Sequence, residues 1–107
     1  MRSLQMDDPL EAFVHESIRR SGERGYYPTT FEAMLDRHTT DVAISKLVET
    51  GEIQSGFKRL QQLRMLEWSM EAAVIYFHDR FARNARESAE WRLRQVGFWP
   101  LPPMPTR

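Results

Sequence analysis

Ser69-Met70-Glu71-Ala72-Ala73-Val74-Ile75-Tyr76-Phe77-His78-Asp79-Arg80-Phe81 is the stretch whose reading decides the fold. Its apolar run, Ala72 to Phe77, is the longest in the chain. It falls far short of the ~20 residues needed to cross a bilayer. A serine before a mixed apolar segment is a helix cap. The stretch therefore predicts a buried helix from Met70 to Phe81, with Ser69 as its cap.

The segments on either side carry helical spacing as well. Asp8, Pro9 and Glu11 make a helix start, and Leu10, Phe13, Val14 and Ile18 mark one apolar face. Gly22 and Gly25 end that helix. Thr29 and Glu32 are spaced as a capping box for a short helix to Arg37, with Phe31, Met34 and Leu35 inward. Thr39 or Thr40 caps a third helix, with Val42, Ala43, Ile44, Leu47 and Val48 inward. Gly51 stops it, and Ile53 is the apolar residue pinning the stop. Ser55 opens a fourth helix bearing Phe57, Leu60 and Leu63. A last helix runs from Asn84 to Val96, with Ala85, Ala89, Leu93 and Trp91 inward, and Gly97 ends it.

The expectation is an all-α protein: a compact bundle of five or six short helices with a proline-rich C-terminal tail. Residues 1–97 are the helical domain and residues 98–107 the Trp/Pro-rich tail. Four prolines between Pro100 and Pro105 favour polyproline II geometry there.

Composition narrows the functions. The 107 residues contain no cysteine, which removes disulfides, thiolate zinc sites and cysteine nucleophiles. Met1–Asp8 has no apolar signal core and turns acidic, so the expected location is cytoplasmic. The net charge is zero, yet residues 1–53 carry six basic and ten acidic side chains and residues 54–107 nine and five. Thirteen of the fifteen basic residues are arginine, a residue suited to bidentate contact with carboxylate or phosphate. The C-terminal half is thus the expected face for an anionic partner.

Residues 25–76 resemble a recurring, uncharacterised bacterial helical module. The residues that carry the resemblance are Gly25-Tyr26-Tyr27-Pro28-Thr29-Thr30-Phe31, Gln54-Ser55-Gly56-Phe57 with Leu60, and Ser69-Met70-Glu71-Ala72-Ala73-Val74. The module occurs alone or appended to larger, sometimes nuclease-like, proteins. The resemblance implies a helical fold and a mobile-element or defence setting, and brings no activity or binding residues with it. After Ser69 the chain departs from the usual pattern, so the last helix and the tail are its own.

No motif for catalysis emerges. His15, His38 and His78 fall on different elements without the i,i+4 spacing of a helical metal site. His78 and Asp79, adjacent on a helix, are expected to point apart. Ser55-Gly56 lacks the preceding strand and flanking glycines of a nucleophile elbow. No catalytic residue, metal or cofactor is expected.

The expected function is a non-enzymatic protein-interaction module, an adaptor or inhibitor. Its contacts would come from Arg83, Arg86, Arg92, Arg94 and Trp99, because arginine and aromatics dominate binding energy. The alternative is a small helix-turn-helix regulator built on Thr40–Glu49 and Ser55–Arg64. There Lys58, Arg59, Gln62 and Arg64 would read nucleic acid. The partner expected is thus a protein, with nucleic acid as the alternative; no membrane is involved, and self-association is left open. Pro102-x-x-Pro105-x-Arg107 also matches a polyproline ligand, although a lid folded back on the domain is the preferred reading of the tail.

Overall fold

Ser69 is fully buried, and its hydroxyl makes two bonds at once. The Oγ accepts from the Ala72 N–H at 3.1 Å and donates to the Leu66 carbonyl at 2.7 Å. The cap thus starts one helix and closes the 3-10 turn Leu66–Trp68 before it. The computed structural model describes residues 7–50 and 55–105. Among these, α1 spans Pro9–Glu23, α2 Thr29–Arg37, α3 Thr40–Glu49, α4 Ser55–Gln62, α5 Met70–Tyr76 and α6 Arg83–Gln95. The architecture is all-α, with no strand among the described residues. No described helix is long and apolar enough to cross a membrane.

Helix α5 sits at the centre because all of Met70–Val74 is buried. It packs on α6, α3 and α1, and α3 packs in addition on α2 and α6. Fully buried Leu10, Val14, Leu35, Ile44, Val48, Val74 and Leu93 fill the space between them. These are the positions that the apolar spacing selects, and each removes roughly 1.5–3 kcal/mol of side chain from water.

Three helices end in the same way. After α1, the Tyr26 N–H reaches the Ser21 carbonyl at 2.9 Å and the Gly25 N–H reaches Gly22 at 3.0 Å. Gly25 takes the left-handed conformation that this Schellman turn demands, with φ 85°. After α6, Gly97 does the same at φ 73°, with Phe98 bonded to the Leu93 carbonyl. After α4, the Met65 N–H bonds to the Leu60 carbonyl, and the left-handed residue is Arg64, at φ 58°.

Several boundaries differ from the expectation. Helix α5 stops at Tyr76 rather than Phe81. Phe77 leaves helical geometry, a 3-10 turn His78–Arg80 follows, and Phe81 returns to the core. The turn places Arg80 between Asp8, the cap of α1, at 2.9 Å and Asp41, in the first turn of α3, at 2.9 Å. The capping box at Thr29 and Glu32 is absent as well. Helix α2 starts a residue early, with the Glu32 N–H on the Pro28 carbonyl, and Pro28 is its cap. Thr39 caps α3 by position, without a side-chain bond. Trp91 is 54% exposed, not inward. The expected stop at Gly51 and Ile53 lies outside the described residues.

Candidate functional site

The Schellman turn at Gly25 throws Tyr26 back toward the domain, and the next residue goes the other way. Pro28, at φ −78° and ψ 68° with the Thr29 N–H on the Tyr27 carbonyl at 2.8 Å, is an inverse γ-turn. Tyr27 is left 65% exposed, and the chain turns directly into α2. Gly22 makes room here, since a Cβ on it would come within 3.1 Å of the Tyr27 ring.

Tyr26 reaches across to the first turn of α4. A Cβ on Gly56 would lie 2.3 Å from the Tyr26 hydroxyl, so glycine is what admits that hydroxyl there. Burial and the nearby Glu71 carboxylate push the Tyr26 hydroxyl above the usual tyrosine range. Around this contact opens a pocket of about 210 Å³. Its wall comes from Ser17, Ile18 and Ser21 of α1, Tyr26 to Phe31, Leu47 of α3, Ser55 to Phe57 and Leu60 of α4, and Met70 and Glu71 of α5. The three stretches that carry the resemblance are therefore brought together around one cavity.

The floor of the pocket is charged but paired. Arg92 donates to the Glu71 carboxylate at 2.6 Å, and both side chains are 3% exposed. The same guanidinium reaches the Leu47 and Thr50 carbonyls and the Thr50 hydroxyl at the end of α3. It thus closes orphan carbonyls at a helix C-terminus and neutralises a buried carboxylate. Burial pushes the Glu71 carboxyl up, against the pull of Arg92. Two of the pocket's serines, Ser17 and Ser21, are also engaged. Ser17 donates to the Trp68 carbonyl at 2.6 Å and Ser21 to the Ile18 carbonyl at 3.1 Å. Among the described residues, every buried polar side-chain atom has a partner. What the cavity offers is an apolar, aromatic-walled slot with hydroxyls on its wall and a tyrosine at its rim.

The arginines read from the sequence fare unequally. Arg92 is corrected: it is buried in the ion pair with Glu71 and cannot touch a partner. Its place on the inner face follows from spacing, since Ala85, Ala89, Arg92 and Leu93 fall on one side of α6. Arg83 is exposed and pairs with Glu87 at 3.2 Å. Arg94 pairs with Glu90 at 2.7 Å and lies 5.1 Å over the Trp99 ring. Arg86 and Trp99 are half-buried, Trp99 against the core. Lys58, Arg59, Gln62 and Arg64 are all exposed on or just after α4, Arg59 donating to Gln62 at 3.3 Å.

The histidines lie elsewhere. His15 is exposed on α1, and His38 follows α2. His78 and Asp79 do meet, with Nδ1 and Oδ1 2.9 Å apart, because the 3-10 turn swings them together where an α-helix would have splayed them. Among the described residues, no three metal-ligating side chains cluster. The pocket itself and the Glu71–Arg92 pair were missed in the sequence. A lone acid in Met70–Val74 and a lone base at an apolar spacing were the available signals.

Compared with known protein families, curated proteins and solved structures, the chain has no significant match.

Proposed function

We propose that the chain is a non-enzymatic protein-interaction module, an adaptor or inhibitor, that takes an apolar side chain of its partner into the pocket beside Tyr27. The observation that carries this is the pocket's makeup. It is preformed, its wall is aromatic, its Ser17 and Ser21 are already spent on backbone carbonyls, and an exposed tyrosine stands at its rim. Aromatic anchors seated in pockets are where interface energy concentrates. The exposed Trp91 on α6 and the stack of Arg94 on Trp99, just past the end of that helix, offer a second aromatic contact of the same kind. The resemblance of residues 25–76 supports a bacterial mobile-element or defence setting, in the cytoplasm.

The test is affinity capture from the native host with the full chain, Tyr27→Ala, and Thr30→Trp, which fills the pocket from an exposed position. Both variants touch little of the core, so folding stays within about 0.5 kcal/mol. A partner held by the wild type should weaken by about 30-fold or more with either one. Equal capture by all three proteins would end the pocket reading.

A second reading rests on the exposed row Lys58, Arg59, Gln62 and Arg64. On this reading α4 contacts nucleic acid. The extensive contacts of α3 are with α2, α5 and α6, however, rather than with α4 as a helix-turn-helix requires. An electrophoretic shift that collapses with salt and disappears with Arg59→Ala plus Arg64→Ala would favour it; no shift at low salt would remove it.

A further inference from the structure

On another part of the surface, a row of aromatic rings already holds a proline-rich segment. Phe13 lies 4.9 Å from Trp68, 6.1 Å from Tyr76 and 5.8 Å from Phe77, measured between ring centres. The tail runs over this row. The Tyr76 hydroxyl donates to the Pro102 carbonyl at 2.8 Å, and Met104 and Pro105 face Phe13, Trp68 and Phe77. Aromatic rings beside a proline, with a ring-borne donor for a nearby backbone carbonyl, are how proline-rich segments are read. Such segments leave their carbonyls unbonded and carry little conformational entropy to lose.

The tail's fit is incomplete. A cavity of about 300 Å³ remains between Met104–Pro105 and the aromatic wall, and Met104 is 46% exposed. Pro100, Pro102 and Pro103 are exposed as well. The segment is therefore held through Pro105 and Met104 beside the rings, the Tyr76 bond to the Pro102 carbonyl, and Trp99 and Leu101 packed on the core.

We propose that the groove of Phe13, Trp68, Tyr76 and Phe77 is a receptor for proline-rich segments, occupied in cis by residues 102–105 and open to a proline-rich segment of a second protein that displaces them. The tail acts as a tethered competitor at an effective concentration of about millimolar, so an incoming segment binds the intact chain more weakly than the groove allows. This site is separate from the pocket beside Tyr27, and the two readings stand or fall independently.

The probe is a synthetic peptide of residues 99–107, titrated into the full chain while the Trp68 indole N–H is followed by NMR. Three further full-length proteins are titrated alongside: Pro102→Ala with Pro105→Ala, the same pair with Tyr76→Phe, and Tyr76→Phe alone. Circular dichroism checks that each is folded. The peptide should shift Trp68 in the wild type, and should bind the double-alanine chain about 10-fold or more tighter because its competitor is weakened. Adding Tyr76→Phe should lose about 3- to 10-fold of that gain, the worth of one hydrogen bond. A peptide with its prolines replaced by alanine should not bind. No Trp68 shift in any folded variant, equal affinity for wild type and double alanine, or equal binding of the proline-free peptide would overturn the proposal. So would a concentration-dependent dimer of the wild type that the peptide does not dissociate, since the groove would then belong to tails exchanged between copies.

Discussion

Tyr26 and Gly56 are coupled so tightly that each explains the other. The hydroxyl stands where a Cβ on Gly56 would be, 2.3 Å away, while the ring carbon behind it would be at an ordinary 3.5 Å. Gly56→Ala should therefore cost about 1–3 kcal/mol in denaturant unfolding, as an overpacked site does. In a Tyr26→Phe background most of that cost should vanish, and a double-mutant cycle reads the coupling directly. Arg64 makes the opposite prediction. It holds a left-handed conformation that costs a residue bearing a Cβ about 1–2 kcal/mol. Arg64→Gly should raise the unfolding midpoint, by about 0.5–1 kcal/mol once the freer unfolded chain is counted. At this scale Gly25 and Gly97 were legible in the sequence as helix stops. Arg64 was not, because nothing in its residue type announces a positive φ.

Helices were the most legible level, since each buries a face that recurs at helical spacing. Leu10, Val14, Leu35, Ile44, Val48 and Leu93 were all read as inward and are all fully buried. The ends of α5 and α2 were less legible because long-range partners fix them. Arg80 leaves the helical path to bridge Asp8 and Asp41, 72 and 39 residues away in sequence. The turn at Pro28 removes the need for the cap that Thr29 and Glu32 were spaced to make. The candidate site was hardly legible at all, because its wall comes from five helices and the turn between two of them. Its three sequence stretches were visible only as a resemblance. Within α1, Glu16 is buried and accepts from both Arg19 and Arg20, which hold its carboxyl down at about 2 against an ordinary 4.5. A carboxylate lowered in the folded state adds stability that is whole above about pH 4.5 and is lost as pH falls toward 2. Because Arg19 is about half exposed and Arg20 about a third, solvent screens the pair and the loss should be about 1–2 kcal/mol. Unfolding followed between pH 6 and 2 should show it, and Glu16→Gln should flatten that part of the profile.

For the whole molecule, the Arg92–Glu71 pair ties the end of α3 to α5 and α6 beneath the pocket. Arg92→Ala should cost about 3–5 kcal/mol, since it strands a buried carboxylate and opens the end of α3. Replacing both partners, Arg92→Met with Glu71→Leu, should cost clearly less than the single change. The pair is thus a structural tie, and the contact surface under the proposed function is Tyr27 and the pocket mouth, with Trp91 and Arg94 on α6 and Trp99 beyond its end. The most direct test puts a photocrosslinking amino acid at position 27 of the full chain in its native host, with the same group at position 58 as a control. A discrete protein adduct is expected from position 27, and it should disappear when Thr30→Trp fills the pocket. An adduct indifferent to Thr30→Trp, or nucleic acid captured from position 58 with nothing from position 27, would contradict the pocket reading.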